Sequence, residues 1–238
     1  MQVDLLFVGD SFTWGEELQG PENYHYKREM QRFSGVMSID LDKSYDNISR
    51  SGVSNDWIVK KTVEWFEAGN SCDTAIIQFS HEKRWLWYDK QGKQHHMPSK
   101  YKGKGQQSYL YTSTEKEQAQ HMYMKHVVSK DSVLDNYWKN MFMIRNYLKD
   151  KCKIVHLSLH TAPYGTIGKD YKENFWYKCV GDVSILALKP LLDGCRENFT
   201  PTLNSDILDN NYNKRFSGVH PSAKGHRKIA ENITRLIK

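Results

Sequence analysis

Gly9, Asp10 and Ser11 follow an apolar run that includes Val3, Leu5, Leu6, Phe7 and Val8, and lead into Phe12, Thr13, Trp14 and Gly15. A buried strand that ends in Gly, with Ser two residues on, can lift one hydroxyl onto the rim of a parallel sheet. Ligands of α/β proteins bind at that rim, beyond the carboxyl ends of the strands. Backbone N–H groups at such a turn can stabilise a developing oxyanion. The same residue types also suit an ordinary tight turn, so the spacing alone leaves both readings open.

Two more stretches place chemistry-bearing residues beside structured elements. Asn47 and Gly52 lie within and after a short candidate strand, Ser44 to Ser49, and precede apolar residues at helical spacing from Trp57 to Ala68. Taken alone, Gly52 is a loop glycine that needs a positive φ. Near the end of the chain, His220-Pro221-Ser222 is followed by Gly225 and by Ile229, Ala230, Ile233, Leu236 and Ile237, a helical pattern for which Ser222 is a natural N-cap.

Gly9-Asp10-Ser11 with Gly15, Asn47 with Gly52, and His220-Pro221-Ser222 with Gly225 together resemble, in order, blocks of the GDSL or SGNH hydrolases. The resemblance implies that Ser11 is the nucleophile and His220 the catalytic base. It also implies that the N–H groups of Ser11 and Gly52 form the oxyanion hole. Two departures stand out. Where the family has Gly-x-Asn-Asp after its third strand, this chain has Ser80-His81-Glu82-Lys83, and an ionised Glu82 has no hydrogen to donate. Ser80, His81 and Arg84 are the alternatives for the missing donor, and Asp10 is a further candidate for a substrate or acid role. Where the family has Asp three residues before the histidine, this chain has Ser217, which leaves Asp206, Asp209 or a backbone carbonyl to orient His220.

The elements that must position these residues read as an alternation of strands and helices. Glu16 to Met37 reads as a short helix or loop, and Ala75 to Phe79 is an apolar run suited to a central parallel strand. A helix capped by Asp131 carries Val133, Leu134, Trp138, Met141 and Phe142, and Lys153 to Leu159 is the next strand, ending at His160. A further helix within Phe175 to Cys195 is expected to break before Pro190. The resulting expectation is one domain over residues 1–238. It is a three-layer α/β/α sandwich with a mostly parallel, doubly wound sheet, SGNH-hydrolase-like and flavodoxin-like, carrying a basic insertion at about residues 85–130.

Composition bounds the function further. The 238 residues are 39% hydrophobic and 26% charged, with no apolar run of membrane-spanning length. Because the first strand leads straight into the Ser11 turn, no cleaved signal is expected and the location is read as cytoplasmic. Cys72, Cys152, Cys179 and Cys195 are widely spaced and read as reduced thiols. His95, His96, His121 and His126 lack a ligand context, so neither metal nor cofactor is expected. Lys83 to Lys130 holds 10 Lys and Arg against 3 Asp and Glu, which accounts for the whole net charge of +6. That segment suits a polyanion or is a solvated loop. The leading function is hydrolysis of an acyl ester on a carbohydrate or other polar substrate, and acyl transfer would use the same residues. The rival is a degenerate hydrolase fold that binds a polyanion through its insertion.

Overall fold

The computed structural model describes residues 1–16, 18, 25–81, 84, 86–88, 94–96, 122, 129–158, 173–180, 184–192 and 220–238. Glu82, Asp206, Asp209 and Ser217 lie outside them, as do His160, Cys195 and the lysines Lys100, Lys102 and Lys104.

In chain order the elements are β1 (Gln2–Val8), α1 (Ser11–Trp14), α2 (His25–Gln31), α3 (Phe33–Leu41), β2 (Tyr45–Asn47), α4 (Asn55–Glu67), β3 (Ser71–Phe79), β4 (Leu86–Tyr88) and β5 (Gln94–His96). They continue with α5 (Lys130–Leu148), β6 (Lys153–Ser158), α6 (Phe175–Val180), β7 (Ile185–Ala187), α7 (Leu188–Leu192) and α8 (Ala223–Ile237).

Among the described residues, five strands form one sheet in the order β2-β1-β3-β6-β7, with each of these pairings parallel. Apolar residues run almost continuously through β1 and β3 because both faces of the sheet are covered. Alternate residues therefore enter different cores. Leu6, Val8, Ala75, Ile77 and Phe79 pack with α4 and α5 through Trp57, Ile58, Trp138 and Met141. Leu5, Phe7, Ile76, Val155 and Leu157 pack on the other face with Phe33 and Met37 of α3, Leu188 of α7, and Ile229 and Ile233 of α8. Each such side chain, fully buried, contributes roughly 1.5–3 kcal/mol. The result is the expected α/β/α sandwich. Among the described residues, no helix is long and apolar enough to cross a membrane.

The strand order fixes where a site can form. From β1 the chain winds outward to β2, then returns past β1 to β3 and continues to β6 and β7 on the other side. The loops after β1 and β3 therefore diverge and leave a crevice at their carboxyl ends, the topological switch point of a doubly wound sheet. Ser11 follows β1 and Ser80 follows β3.

Several local expectations are corrected. Glu16 to Met37 holds α2 and much of α3, which continues to Leu41. Helix α4 starts at Asn55, two residues before the apolar pattern begins, because Ser54 caps it by accepting from the Trp57 N–H. Helix α5 is capped by Ser129 and not by Asp131. The Ser129 hydroxyl accepts from Ser132 N at 3.0 Å and the Ser132 hydroxyl from Ser129 N at 2.8 Å, a reciprocal pair that satisfies two helix-end donors. The helix expected within Phe175 to Cys195 is present as α6, but strand β7 follows it, and α7 runs through Pro190 where a break was expected. Proline is tolerated there because the first turn of a helix has no intrahelical acceptor for that N–H. Within the basic segment, Leu86–Tyr88 pairs antiparallel with Gln94–His96 as a separate two-stranded sheet.

Candidate active site

The turn between β1 and α1 is held from three directions. Gly9 has no side chain because none fits: a Cβ there would lie 2.4 Å from Thr13 Oγ1 and 2.8 Å from Gln78 Oε1. The Gln78 side chain reaches across from β3, its Oε1 accepting from Thr13 Oγ1 at 2.7 Å, Asp10 N at 3.2 Å and Thr13 N at 3.3 Å. From β2, Asn47 Nδ2 donates to Thr13 O at 3.0 Å and to Ser34 Oγ at 2.9 Å, while Asn47 Oδ1 accepts from Ser49 N. Arg50 N donates to Gly9 O at 3.1 Å, which carries the β1–β2 pairing onto the rim.

Ser11 opens α1 and is almost completely buried. Its carbonyl accepts from Gly15 N and Glu16 N, with Gly15 in the left-handed region at φ +79° that ends the single turn. Asp10 caps the turn, Oδ1 accepting from Phe12 N at 3.0 Å. Its other oxygen, Oδ2, accepts from Ser80 Oγ at 2.9 Å and from Arg84 Nη1 at 3.1 Å.

His220 is half-buried, and its imidazole centroid lies 5.8 Å from that of Phe12, the residue after Ser11. Helix α8, which begins just beyond it, is anchored to α3. His226 Nδ1 accepts from Phe33 N at 3.2 Å, and the His226 ring stacks on Phe33 at 25°. Burial, assisted by Arg32 and His220, pushes the His226 pKa down to about 3, so this imidazole stays neutral and accepts through Nδ1. Ser222 caps α8 as expected, accepting from Gly225 N at 3.2 Å.

Gly52 lies in the loop that Arg50 ties to Gly9; it is exposed and has φ +76°. No described atom lies within 4 Å of where its Cβ would be, so the backbone conformation, and not crowding, requires glycine there. Among the described residues, neither the Ser11 N–H nor the Gly52 N–H donates a hydrogen bond.

In the loop after β3, the Ser80 backbone is bracketed by Asn55, whose Oδ1 accepts from Ser80 N at 2.7 Å and whose Nδ2 donates to Ser80 O at 3.4 Å. His81 is half-buried, and its carbonyl accepts from Arg84 N. The structure thus brings Asp10, Ser80 and Arg84 together beside Ser11, and sets His220 against Phe12, the next residue. Sequence reasoning did not single out Gln78, Asn55, Thr13 or His226. Gln78 alone carried a signal: a polar side chain inside an apolar central strand must find partners when buried.

The chain matches no protein-family model and no curated protein. Solved structures share its fold. A G-D-S-L family protein from Desulfitobacterium hafniense DCB-2 superposes with a TM-score of 0.53 at 13% identity, covering 98% of both chains. A member of the lipolytic protein G-D-S-L family from Veillonella parvula DSM 2008 gives 0.51 at 11% identity, over 99% of this chain and 98% of that one. A carbohydrate esterase gives 0.53 at 12% identity, over 99% of this chain and 68% of the other. The chain therefore shares the α/β/α fold of those proteins, as the resemblance implied.

Proposed function

We propose that this chain is a serine esterase of the SGNH type, cleaving an acyl ester, such as an O-acetyl group, on a carbohydrate or other polar compound. The observation that carries this reading is the placement of Ser11 at the switch point with the His220 ring packed against its neighbour Phe12. The likeness in fold to a carbohydrate esterase supports the substrate class.

In the proposed reaction His220 takes the Ser11 proton as Oγ attacks the acyl carbonyl. The tetrahedral oxyanion then accepts from the N–H groups of Ser11 and Gly52. Collapse breaks the ester C–O bond, and His220 returns its proton to the departing alcohol. Water, deprotonated by His220, attacks the acyl-Ser11 ester, releases the acid and restores the serine. With another alcohol in place of water, the same steps transfer the acyl group.

The test is covalent labelling by an alkyl fluorophosphonate together with hydrolysis of a short-chain aryl ester. Wild-type protein should label at Ser11, and Ser11→Ala should lose both labelling and turnover while unfolding at the same temperature. His220→Ala should lose turnover by several powers of ten. Undiminished hydrolysis by folded Ser11→Ala protein would remove the mechanism.

A further inference from the structure

Asp10 is fully buried, yet it is an acid, and it stands between Gly9, which follows β1, and Ser11. A carboxylate withdrawn from water needs both a countercharge and hydrogen-bond donors. The backbone of its own turn supplies one donor, Phe12 N at 3.0 Å. Among the described residues, its other partners come from the opposite lip of the crevice. Ser80 Oγ donates to Oδ2 at 2.9 Å, and Arg84 Nη1 lies 3.1 Å from the same oxygen. Arg84 Nη1 also donates to Ser80 Oγ at 3.0 Å, which closes a triangle of three side chains. The pair is asymmetric, since the Arg84 side chain is 20% exposed and the Asp10 side chain not at all. The carboxylate therefore depends on the guanidinium more than the reverse.

The triangle links the loop after β3 to the turn after β1, residues separated by 70 and 74 positions in the chain. The Ser80 hydroxyl is engaged by both Asp10 and Arg84, and Asn55 fixes the Ser80 backbone from α4. This loop stands where the family pattern would place an asparagine.

We infer that Arg84 is a positioning residue for Ser11. By neutralising Asp10 from across the crevice, it holds the Ser11 turn at the spacing from the loop after β3 that acyl transfer requires. The inference rests on the esterase reading above. Positioning of this kind acts on the reacting geometry more than on substrate affinity, and displacement of a nucleophile by about 1 Å lowers rates on the order of a hundredfold. Substrate contact would show itself differently, as a raised KM with kcat maintained.

The test compares wild type with Arg84→Gln, Arg84→Lys, Ser80→Ala, Asp10→Asn and the double variant Asp10→Asn/Arg84→Gln. The readouts are the fluorophosphonate labelling rate and the steady-state hydrolysis of p-nitrophenyl acetate. Arg84→Gln should lower kcat and the labelling rate by about a hundredfold, with KM within about twofold. Arg84→Lys should recover most of the loss, because a point charge still neutralises Asp10. Ser80→Ala, which keeps the ion pair, should lose less than Arg84→Gln. The double variant should be faster than Arg84→Gln alone, because it removes the unpaired buried charge. Should Arg84→Gln fail to fold, the Lys, Ser80→Ala and double variants still carry the comparison.

Unchanged kcat in Arg84→Gln overturns the inference while leaving the esterase reading in place. So does a change confined to KM, or a double variant whose loss is the product of the two single losses. A wild-type protein that neither labels at Ser11 nor hydrolyses the ester overturns the esterase reading and this inference with it.

Discussion

Lowering the pH from 7 to 5 should destabilise this fold through two imidazoles. His156 on β6 and His226 on α8 are buried. Desolvation, joined by Arg145 near the first and by Arg32 and His220 near the second, pulls their pKa values from 6.5 down to about 4 and about 3. Because the folded values lie below the unfolded one, the unfolded chain takes up the protons first. The stabilisation is complete above pH 6.5 and is lost as pH falls toward the folded values. At pH 5 both rings are still neutral in the folded state and nearly fully protonated in the unfolded state, which by linkage removes roughly 2 kcal/mol each, about 4 kcal/mol together. Against a typical stability of about 5–15 kcal/mol this is a large fraction. The carboxylates with lowered pKa, Asp4 at about 2 together with Glu64 and Glu173, lose their contribution only as pH falls below their unfolded values of 3.8 and 4.5, outside this window. Urea unfolding at pH 7 and pH 5, at fixed ionic strength and followed by tryptophan fluorescence, measures the difference. His226→Gln keeps an acceptor within reach of Phe33 N–H and should roughly halve the pH dependence. Equal stability at the two pH values, or an unchanged pH dependence in His226→Gln, would refute the reasoning.

Gly9→Ala should destabilise by roughly 1–3 kcal/mol, as overpacking does, and slow ester hydrolysis as well, since the new methyl displaces Thr13 and Gln78 from the turn that carries Ser11. Thermal unfolding beside a turnover assay checks both parts. If the segment Lys83 to Lys130 grips a polyanion, retention on an immobilised polyanion should fall steeply with salt, and changing Lys100, Lys102 and Lys104 to Gln should flatten that slope. No retention at low salt would end that idea.

The parts of the fold that were legible in the sequence are those whose signal is local. The apolar runs of β1 and β3 declare buried parallel strands, and Ser222 before an amphipathic repeat declares the start of α8. Strand β7 was missed because three residues at a sheet edge, Ile185–Ala187, cannot display a period, and the apolar residues around them suit a helix equally well. The cap of α5 was expected at Asp131, but it lies two residues earlier at Ser129, whose reciprocal partner Ser132 stands three residues on. In the site, local pattern marked Ser11, Gly52 and His220 but not what holds them. Gln78 meets Thr13 across 65 positions, Asp10 meets Arg84 across 74, and His226 meets Phe33 across 193. Such pairings are created by strand order, which no window of a dozen residues contains.

The distribution of buried polar groups carries the same logic into function. Asp10, Thr13, Asn55, Gln78 and Ser80 are all buried, and all sit at or just beyond the carboxyl ends of β1, β2 and β3. Stability alone does not call for them, because well-packed apolar residues commonly serve a core as well as a buried ion pair or better. What a satisfied polar network adds is a single arrangement, since each donor and acceptor that moves away leaves an unpaired group behind. Here Gln78 Oε1 accepts from three donors of the Ser11 turn, and Asp10 binds the same turn to the opposite loop. The network therefore ties the Ser11 turn both to β3 and to the loop that follows it, a constraint that would serve the proposed role of Ser11.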